Sequence, residues 1–524
     1  MSQATDHPRA TPRWLRALEI LLVFAVFAWA AGWPPPDPNE PHYLGKAKHF
    51  WNPGWIVGDY FLDSPDAHQV FYWTCGWLTL YFPLVQVAWI GRLATWLLMA
   101  VGWRRMSWAL VPQAGGAVLS ALLFVAGNER LQLAGEWVVG GFEAKGIAYA
   151  LVFFALAELA AARWNRVWLL LGAAAAFHVL VGGWAVAAAG LAWFMVGRRD
   201  TPLVKMLPGL ACGGALSLFG LWPIVQLSRG IEPRILRLSE LCYFERLPHH
   251  LDFLAFKPEF MIHHGLLLAA WLLLCRINLP DLPLRRLRWF VAGAVAIALG
   301  GIVLSLATYN NPEWGARLLR FYWFRLTDAA LPLGVAIEAA YLVSRRTTAS
   351  EPAAASPTAP GRRFWFVVAW GLAAAFLYQS TGRLTFTRPR ADKPDKTASL
   401  RAWRDVCGWI RQNTPADARF FTPRNSQTFR WYAERPEVGN WKDIPQDPQG
   451  LVEWRLRMQN IFYEGDPCAW RSWYESPGEK PLRQLLRLAK KYDADYVVCP
   501  NTLDLEPYRV YRNNFYAVYR ISSD

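Results

Sequence analysis

From Trp14 to about Ser380 the chain repeats one device: apolar runs of near-bilayer length, separated by short basic or Pro/Gly-rich stretches. A helix that crosses the hydrocarbon core needs roughly 20 mostly apolar residues. Only helices and closed barrels satisfy their own backbone groups at that depth. Runs such as Ile20–Trp33, Val118–Ala126 with its flanks, Gly146–Ala162 and Trp289–Ala307 fit that requirement. From Gly382 to Asp524 the sequence turns polar and charged. The expected fold is a polytopic α-helical membrane protein of about eleven transmembrane helices with a C-terminal soluble α/β domain, divided as 1–380 and 381–524.

Charged residues make up 18% of the chain, against about 25% in ordinary soluble proteins. The formal net charge of +15 raises the question of nucleic acid, but its distribution answers it. The arginines sit in pairs at the ends of apolar runs: Arg104-Arg105, Arg163 with Arg166, Arg198-Arg199, Arg285-Arg286 and Arg345-Arg346. Cytoplasmic loops look like this under the positive-inside rule. Nothing resembles a continuous basic face with base-stacking groups, so the expected partners are membrane lipids and no nucleic acid.

With the basic loops inside, the N-terminus is cytoplasmic and external loops fall at about 34–68, 127–145, 228–259 and 309–325. Arg9, Arg13 and Arg16 precede the first apolar run, but Trp33-Pro34-Pro35-Pro36 offers no small-residue cleavage site, which favours a retained helix. A third helix is expected over about Ser107–Ala126, and Val167–Val196 must cross twice, turning at His178 and Gly182-Gly183. Thr347–Pro360 reads as a linker and Phe364–Gln379 as the last helix, leaving the C-terminal domain extracytoplasmic. In that domain helices are expected at Leu400–Gln412 and Pro481–Lys491, buried strands at Arg419–Thr422 and Tyr496–Cys499, and a hairpin over Val510–Ile521. Seven cysteines form no CxxC pair. A disulfide among Cys407, Cys468 and Cys499 is permitted outside the cytosol but not indicated by spacing.

The first external loop is the most informative stretch. It carries Asp37, Glu40, Asp59, Asp63 and Asp66 together with His42, His49 and His68, directly after a transmembrane helix. Such a set could form an active-site mouth, with one carboxylate as general base and others placing a sugar or a divalent cation, Mg or Mn. It could equally be a solvated loop, because Pro, Asp and Asn are turn formers. No Walker A, dinucleotide-binding glycine pattern or HExxH is present.

Asn39-Glu40 after the first helix, the aromatic/Lys stretch Tyr43–Trp51, and then Gly58-Asp59-Tyr60-Phe61-Leu62-Asp63 with its Pro-containing turn resemble the first external loop of the C-type glycosyltransferase superfamily. Gly141-Phe142-Glu143-Ala144-Lys145, Glu245-Arg246-Leu247-Pro248-His249-His250 and Arg320-Phe321-Tyr322-Trp323-Phe324-Arg325 are similar in wording to uncharacterised bacterial membrane proteins of that superfamily. The resemblance implies transfer of a sugar from a polyprenyl-phosphate donor to an acceptor on the non-cytosolic face of a bacterial inner membrane. The usual acidic pair Asp-Glu is here Asn39-Glu40, so the base role falls to Glu40, or to Asp37, with Asp63 and Asp66 as further acids. Asn39, Asp59 and His68 are then expected on substrate, Glu143 as the second acid and Lys145 as a contact to the lipid phosphate. Arg246, Arg317 and Arg320 could also hold that phosphate, since Arg matches phosphate bidentately. The candidate ligands of a cation are Glu40, Asp66, His68 and Glu143. Two other readings remain at this stage: a transporter or flippase of lipid-linked saccharides, and a membrane receptor whose tail binds a ligand.

Overall fold

The computed structural model describes residues 12–348, 370–371, 373–375, 377–378, 400–463, 473–503, 505 and 508–521. Helix α1 (Arg13–Ala31) leads to α2 (Glu40–Trp51) and α3 (Gln69–Cys75), then α4 (Leu84–Leu110), α5 (Gly116–Arg130), α6 (Ala144–Ala160), α7 (Trp164–Phe177) and α8 (Val179–Ala192). They are followed by α9 (Leu203–Ser228), α10 (Pro233–Arg246), α11 (Pro248–Leu251), α12 (Pro258–Ile277), α13 (Leu282–Ala307), α14 (Pro312–Leu319) and α15 (Arg325–Thr348).

Among the described residues, seven helical segments are long and apolar enough to cross a membrane: Arg13–Ala31, Leu84–Leu110, Val179–Gly197, Leu203–Ser228, Pro258–Ile277, Leu282–Ala307 and Arg325–Arg345. The chain is an integral membrane protein. Helices α5, α6 and α7, with 15, 17 and 14 residues, are apolar but shorter, which accounts for much of the difference from the expected number of spans. The expected linker and last helix lie largely outside the described residues. Tyr309, Trp314, Trp222 and Leu266 are among the large apolar side chains left exposed around the bundle, as a surface facing lipid requires.

Two local details depart from expectation or sharpen it. The helix expected over Ser107–Ala126 is split, because Pro112 cannot donate to a helix and pushes the residue before it towards extended backbone. Val111 has φ −133° and ψ 77°, and Gly115 takes φ +83° before α5 begins. Arg104 and Arg105 therefore lie inside α4, where Arg104 pairs with Glu19 at 3.0 Å and Arg105 with Glu158. The turn at His178 forms as expected. A Cβ on Gly182 would stand 2.2 Å from the backbone nitrogen of Ala175, so α8 folds back directly onto α7.

The C-terminal domain carries a four-stranded sheet of order β1-β2-β4-β3: β1 (Phe420–Phe421), β2 (Tyr496–Pro500), β3 (Arg509–Arg512) and β4 (Tyr516–Arg520). Strand β1 runs parallel to β2, with Phe420 opposite Tyr496, and the other pairs are antiparallel. The hairpin turns on Asn513, whose Oδ1 accepts from the backbone nitrogens of Phe515 and Tyr516, the local bonding that favours Asn in turns. Helices Leu400–Asn413, Pro448–Phe462 and Leu482–Tyr492 pack around the sheet. Cys407 and Cys499 are both buried; Cys468 lies outside the described residues.

This domain is seated on the loop that follows α1 and on the α10 segment. Arg430 donates from Nε to Asp59 Oδ2 at 2.7 Å and also pairs with Glu437 at 3.1 Å and with Asp443. Tyr60 bonds the Gly450 carbonyl, and Arg246 donates to the Trp441 carbonyl at 3.0 Å. Burial pushes the Glu437 carboxyl up to about 7, against the pull of Arg430. The seam between the loops and this domain is where the candidate site lies.

Candidate functional site

Asn39 is the N-cap residue of α2, and Pro41, in its first turn, fits the helix start. Glu143 is the N-cap residue of α6. Two helix N-termini from different loops thus bring polar side chains to one place, and Asn39 Nδ2 donates to Glu143 Oε2 at 2.9 Å. Asp37 reaches the same place: a Cβ added to Gly141 would sit 2.4 Å from Asp37 Cβ and 3.0 Å from Glu40 Oε1. Glycine at 141 is what lets the second loop close on the first. Gly140 beside it has nothing within 4 Å, so it serves as an internal control. Gly141→Ala is expected to push the loops apart, at about 1–3 kcal/mol of stability. Gly140→Ala should leave it unchanged. Thermal unfolding of the two variants checks the contrast.

Cations line the next layer. Lys145 Nζ lies 3.4 Å from Glu143 Oε1 and 3.8 Å from Glu136 Oε2. Arg325, at the start of α15, pairs with the same Glu136 oxygen at 3.1 Å and reaches His178 Nε2 at 3.1 Å. The His178 ring is 5.9 Å from that of His68, and His68 Nε2 meets the Tyr43 hydroxyl at 3.2 Å. From the C-terminal domain, Lys442 is electrostatically coupled to Arg246, Asp443, Glu143 and Lys145, and burial lowers its pKa. Burial raises the Glu143 pKa above the ordinary carboxylate value, with Lys145 opposing. The result is a buried acid pair, Asp37 and Glu143, beside a cluster of basic side chains.

The second loop is held rigidly. Asp328 is fully buried and accepts from the backbone nitrogens of Leu133 (2.6 Å), Ala134 (2.9 Å) and Glu136 (3.2 Å). Asn128 spans the same turn, donating to the Glu136 carbonyl and accepting from the Val138 nitrogen.

Several expected site residues are placed differently. Glu40 is wholly buried, and its carboxylate accepts two bonds from Arg92 at 2.7 Å each, one from the Phe142 nitrogen at 2.8 Å and one from the Asp37 nitrogen at 2.7 Å. Those four bonds occupy the carboxylate and tie the first loop to the second loop and to α4, so the structure gives the expected base Glu40 a structural set of partners. Asp59 is likewise saturated, by the Phe61 and Leu62 nitrogens, Arg430 and the Glu437 nitrogen. It latches the domains rather than binding substrate. Asp63 is half exposed and pairs with His49 at 3.0 Å, away from the acid pair. Asp66 holds His68 Nδ1 at 3.0 Å; burial alone would raise its pKa, but His68, His42 and Lys46 outweigh that and hold it well below the usual carboxylate range. Arg317 and Arg320 are exposed, Arg320 pairing with Glu240 at 2.7 Å, so neither joins Lys145. Arg246 stacks on Trp441 with its guanidinium 4.8 Å from the ring centre. The four candidate cation ligands fall into separate groups: Glu40 on Arg92, Glu143 on Asn39 and Lys145, Asp66 with His68. Among the described residues no three His, Cys, Asp or Glu side chains are arranged to hold a metal ion.

Arg325, Glu136 and Lys442 were not singled out from sequence. Arg325 does stand in a quoted loop, and its place in the first turn of an apolar helix marks an ionisable group at membrane depth. Lys442 carries no such signal, since only the folded domain brings it near Glu143 and Lys145.

A domain of unknown function (DUF6798) matches residues 401–461. No curated protein matches the chain. In overall structure the chain is similar to ArnT from Cupriavidus metallidurans bound to undecaprenyl phosphate, at 16% identity, covering 98% of this chain and 99% of that one, with a TM-score of 0.48. It is similar to the archaeal oligosaccharyltransferase AglB from Archaeoglobus fulgidus in complex with an inhibitory peptide and a dolichol-phosphate, at 11% identity, 93% and 69% coverage and a TM-score of 0.48. A third similar structure is the arabinofuranosyltransferase AftD from Mycobacteria, at 15% identity, covering 99% of this chain and 42% of that one, with a TM-score of 0.48.

Proposed function

We propose that the chain is a membrane glycosyltransferase that takes a sugar from a polyprenyl-phosphate donor and transfers it to an acceptor hydroxyl outside the cytosol. The reading places it in a bacterial inner membrane with the N-terminus cytoplasmic and the C-terminal domain extracytoplasmic. The observation that carries it is the convergence of two separate loops, where Asn39 bonds Glu143 at 2.9 Å and the Asp37 charge acts on it, beside the buried Lys145. The resemblance of the first loop to that superfamily points the same way.

In the reaction, Glu143 takes the proton of the acceptor hydroxyl as its oxygen attacks the anomeric carbon. The bond from that carbon to the phosphate oxygen breaks, and polyprenyl phosphate leaves with the electron pair. Charge grows on the leaving phosphate, so fixed cations placed there stabilise the transition state more than the ground state. Lys145, Lys442 and Arg325 supply them. Asn39 keeps Glu143 oriented without adding a competing negative charge.

The test is transfer by the purified protein in lipid, read as acceptor-dependent release of polyprenyl phosphate from polyprenyl-phospho-sugars. Lys145→Met should raise the KM for the donor about tenfold or more, since a charge-assisted hydrogen bond contributes about 1.5–3 kcal/mol. Because side-chain cations already stand beside the acids, turnover is expected to survive EDTA. Movement of the intact donor across the bilayer with no release of polyprenyl phosphate would replace this reading with that of a flippase.

A further inference from the structure

Arg246 ends α10, and Lys442 comes to the same seam from the C-terminal domain. Both side chains are half-buried. Arg246 donates from Nε to the Trp441 carbonyl at 3.0 Å, and its guanidinium lies 4.8 Å from the centre of the Trp441 ring. Among the described residues, its terminal nitrogens and the Lys442 ammonium have no hydrogen-bond or ion-pair partner. The acids that could neutralise them are engaged elsewhere. Glu245, next to Arg246 in the chain, pairs with Arg455 at 3.0 Å. Asp443 receives Arg430 and Asn440, and Glu143 receives Asn39 and Lys145. More positive charge stands nearby: His249 faces both cations, and Arg424 puts a second guanidinium 5.8 Å from the Trp441 ring. Burial and the charge of Arg246 lower the Lys442 pKa, while burial and the charge of Arg424 bring Arg246 down to about 10. Charge of one sign held out of water in this way is costly, and an incoming anion offsets it.

The donors present suit an oxyanion. A guanidinium fork with its terminal nitrogens open matches phosphate or carboxylate, and an ammonium adds a point charge. The hydroxyls of Tyr243 and Tyr322 meet at 2.8 Å and both act on Arg246. One O–H serves the other, which leaves the second free to donate outward. The phosphate of the donor is tied to a chain in the bilayer. The cations at the heads of apolar helices are Lys145, in the first turn of α6, and Arg325, at the start of a membrane-length helix. Arg246 is held instead by the C-terminal domain, through Trp441. An anion bound there therefore arrives with the other substrate. Lys442 is shared: it couples to Glu143 and Lys145 as well as to Arg246, so the second anion lies within electrostatic reach of the base.

We propose that Arg246 and Lys442, with His249 beside them, bind a phosphate or carboxylate group carried by the acceptor, which makes the acceptor an anionic molecule. The word acceptor rests on the glycosyltransferase reading; the anion site does not. The experiment is calorimetric titration of the full-length protein in phosphatidylcholine nanodiscs, without donor. The probes are glucose 6-phosphate and glucuronate, with glucose as the neutral control. At least one anionic sugar should saturate, at least tenfold more tightly than glucose. Arg246→Gln and Lys442→Met should each weaken it about tenfold or more, the effect of losing one charge-assisted contact. Lys442→Met removes no hydrogen bond of the fold, so its effect is separable from any loosening of the Trp441 contact in Arg246→Gln. Arg317→Gln, at an exposed arginine away from the seam, should leave binding unchanged. Loading the protein with polyprenyl phosphate first should leave saturable binding in place. No saturation by either anionic sugar, equal binding of glucose, indifference to both seam variants, or displacement by polyprenyl phosphate overturns the proposal. Saturable binding in a protein that releases no polyprenyl phosphate from any donor would keep the anion site and remove the transferase reading. Sugar transfer in a protein that binds neither anion would do the reverse.

Discussion

Glu40→Gln is expected to damage the fold first, and any loss of activity should follow from that. Arg92 lies inside α4, wholly buried, and the Glu40 carboxylate neutralises it through two bonds at 2.7 Å. Removing one partner of a buried pair strands the other charge, which typically costs about 3–5 kcal/mol. Here the same carboxylate also receives the Phe142 and Asp37 nitrogens, so it ties the first loop, the second loop and a membrane helix to one another. Most domains are stable by only about 5–15 kcal/mol, and a loss of this size should appear as poor yield and an early melt in detergent. Combining Glu40→Gln with Arg92→Gln removes both charges and should recover a good part of the stability, because replacing a whole buried pair costs far less than breaking it. A Glu40→Gln protein that melts like the parent yet transfers no sugar would show that Glu40 works in the chemistry, and the structural assignment would fall.

The contrast between Glu40 and its neighbours shows what could be read from the chain and what could not. Apolar run lengths and paired arginines were enough to foresee a many-helix membrane part, the reversal at His178 and a separate polar C-terminal domain. Strand β2, the hairpin at Asn513 and helices Leu400–Asn413 and Leu482–Tyr492 also lay close to their expected places. These features are local, set by hydrophobic period and turn chemistry. The roles of the acids are not local. Five carboxylates in one loop look alike in sequence, and only the partners brought by α4, by the second loop and by the C-terminal domain separate them. Arg92 takes Glu40, Arg430 takes Asp59, His49 takes Asp63, and His68 takes part of Asp66. The break at Pro112 was missed because the apolar run continues across it, although the residue type was in plain view. Helix Pro448–Phe462 was missed for a different reason. It mixes charged and apolar residues and is held by packing on Trp441 and the sheet.

Glu143→Gln should separate chemistry from folding. Glutamine keeps an oxygen for Asn39 Nδ2, and Lys145 retains Glu136, so the melting behaviour should stay near that of the parent. What disappears is the ability to accept a proton. A positioned general base contributes about 10²–10⁴-fold, and turnover should fall by that much with little change in donor KM. The pH profile gives a second signature. Burial raises the Glu143 pKa above that of an ordinary carboxylate, and a base works only when deprotonated, so the parental rate should fall as pH drops through that raised value and level off above it. Lys145→Met removes the opposing charge that favours the ionised form, which should move the acid limb to higher pH. The Glu143→Gln variant should lack the limb altogether. If its residual rate kept the same acid limb, the titrating group would be elsewhere, with Asp37, whose charge acts on Glu143, the carboxylate to take the role. If it turned over like the parent, the acid pair would not be where the bond is made.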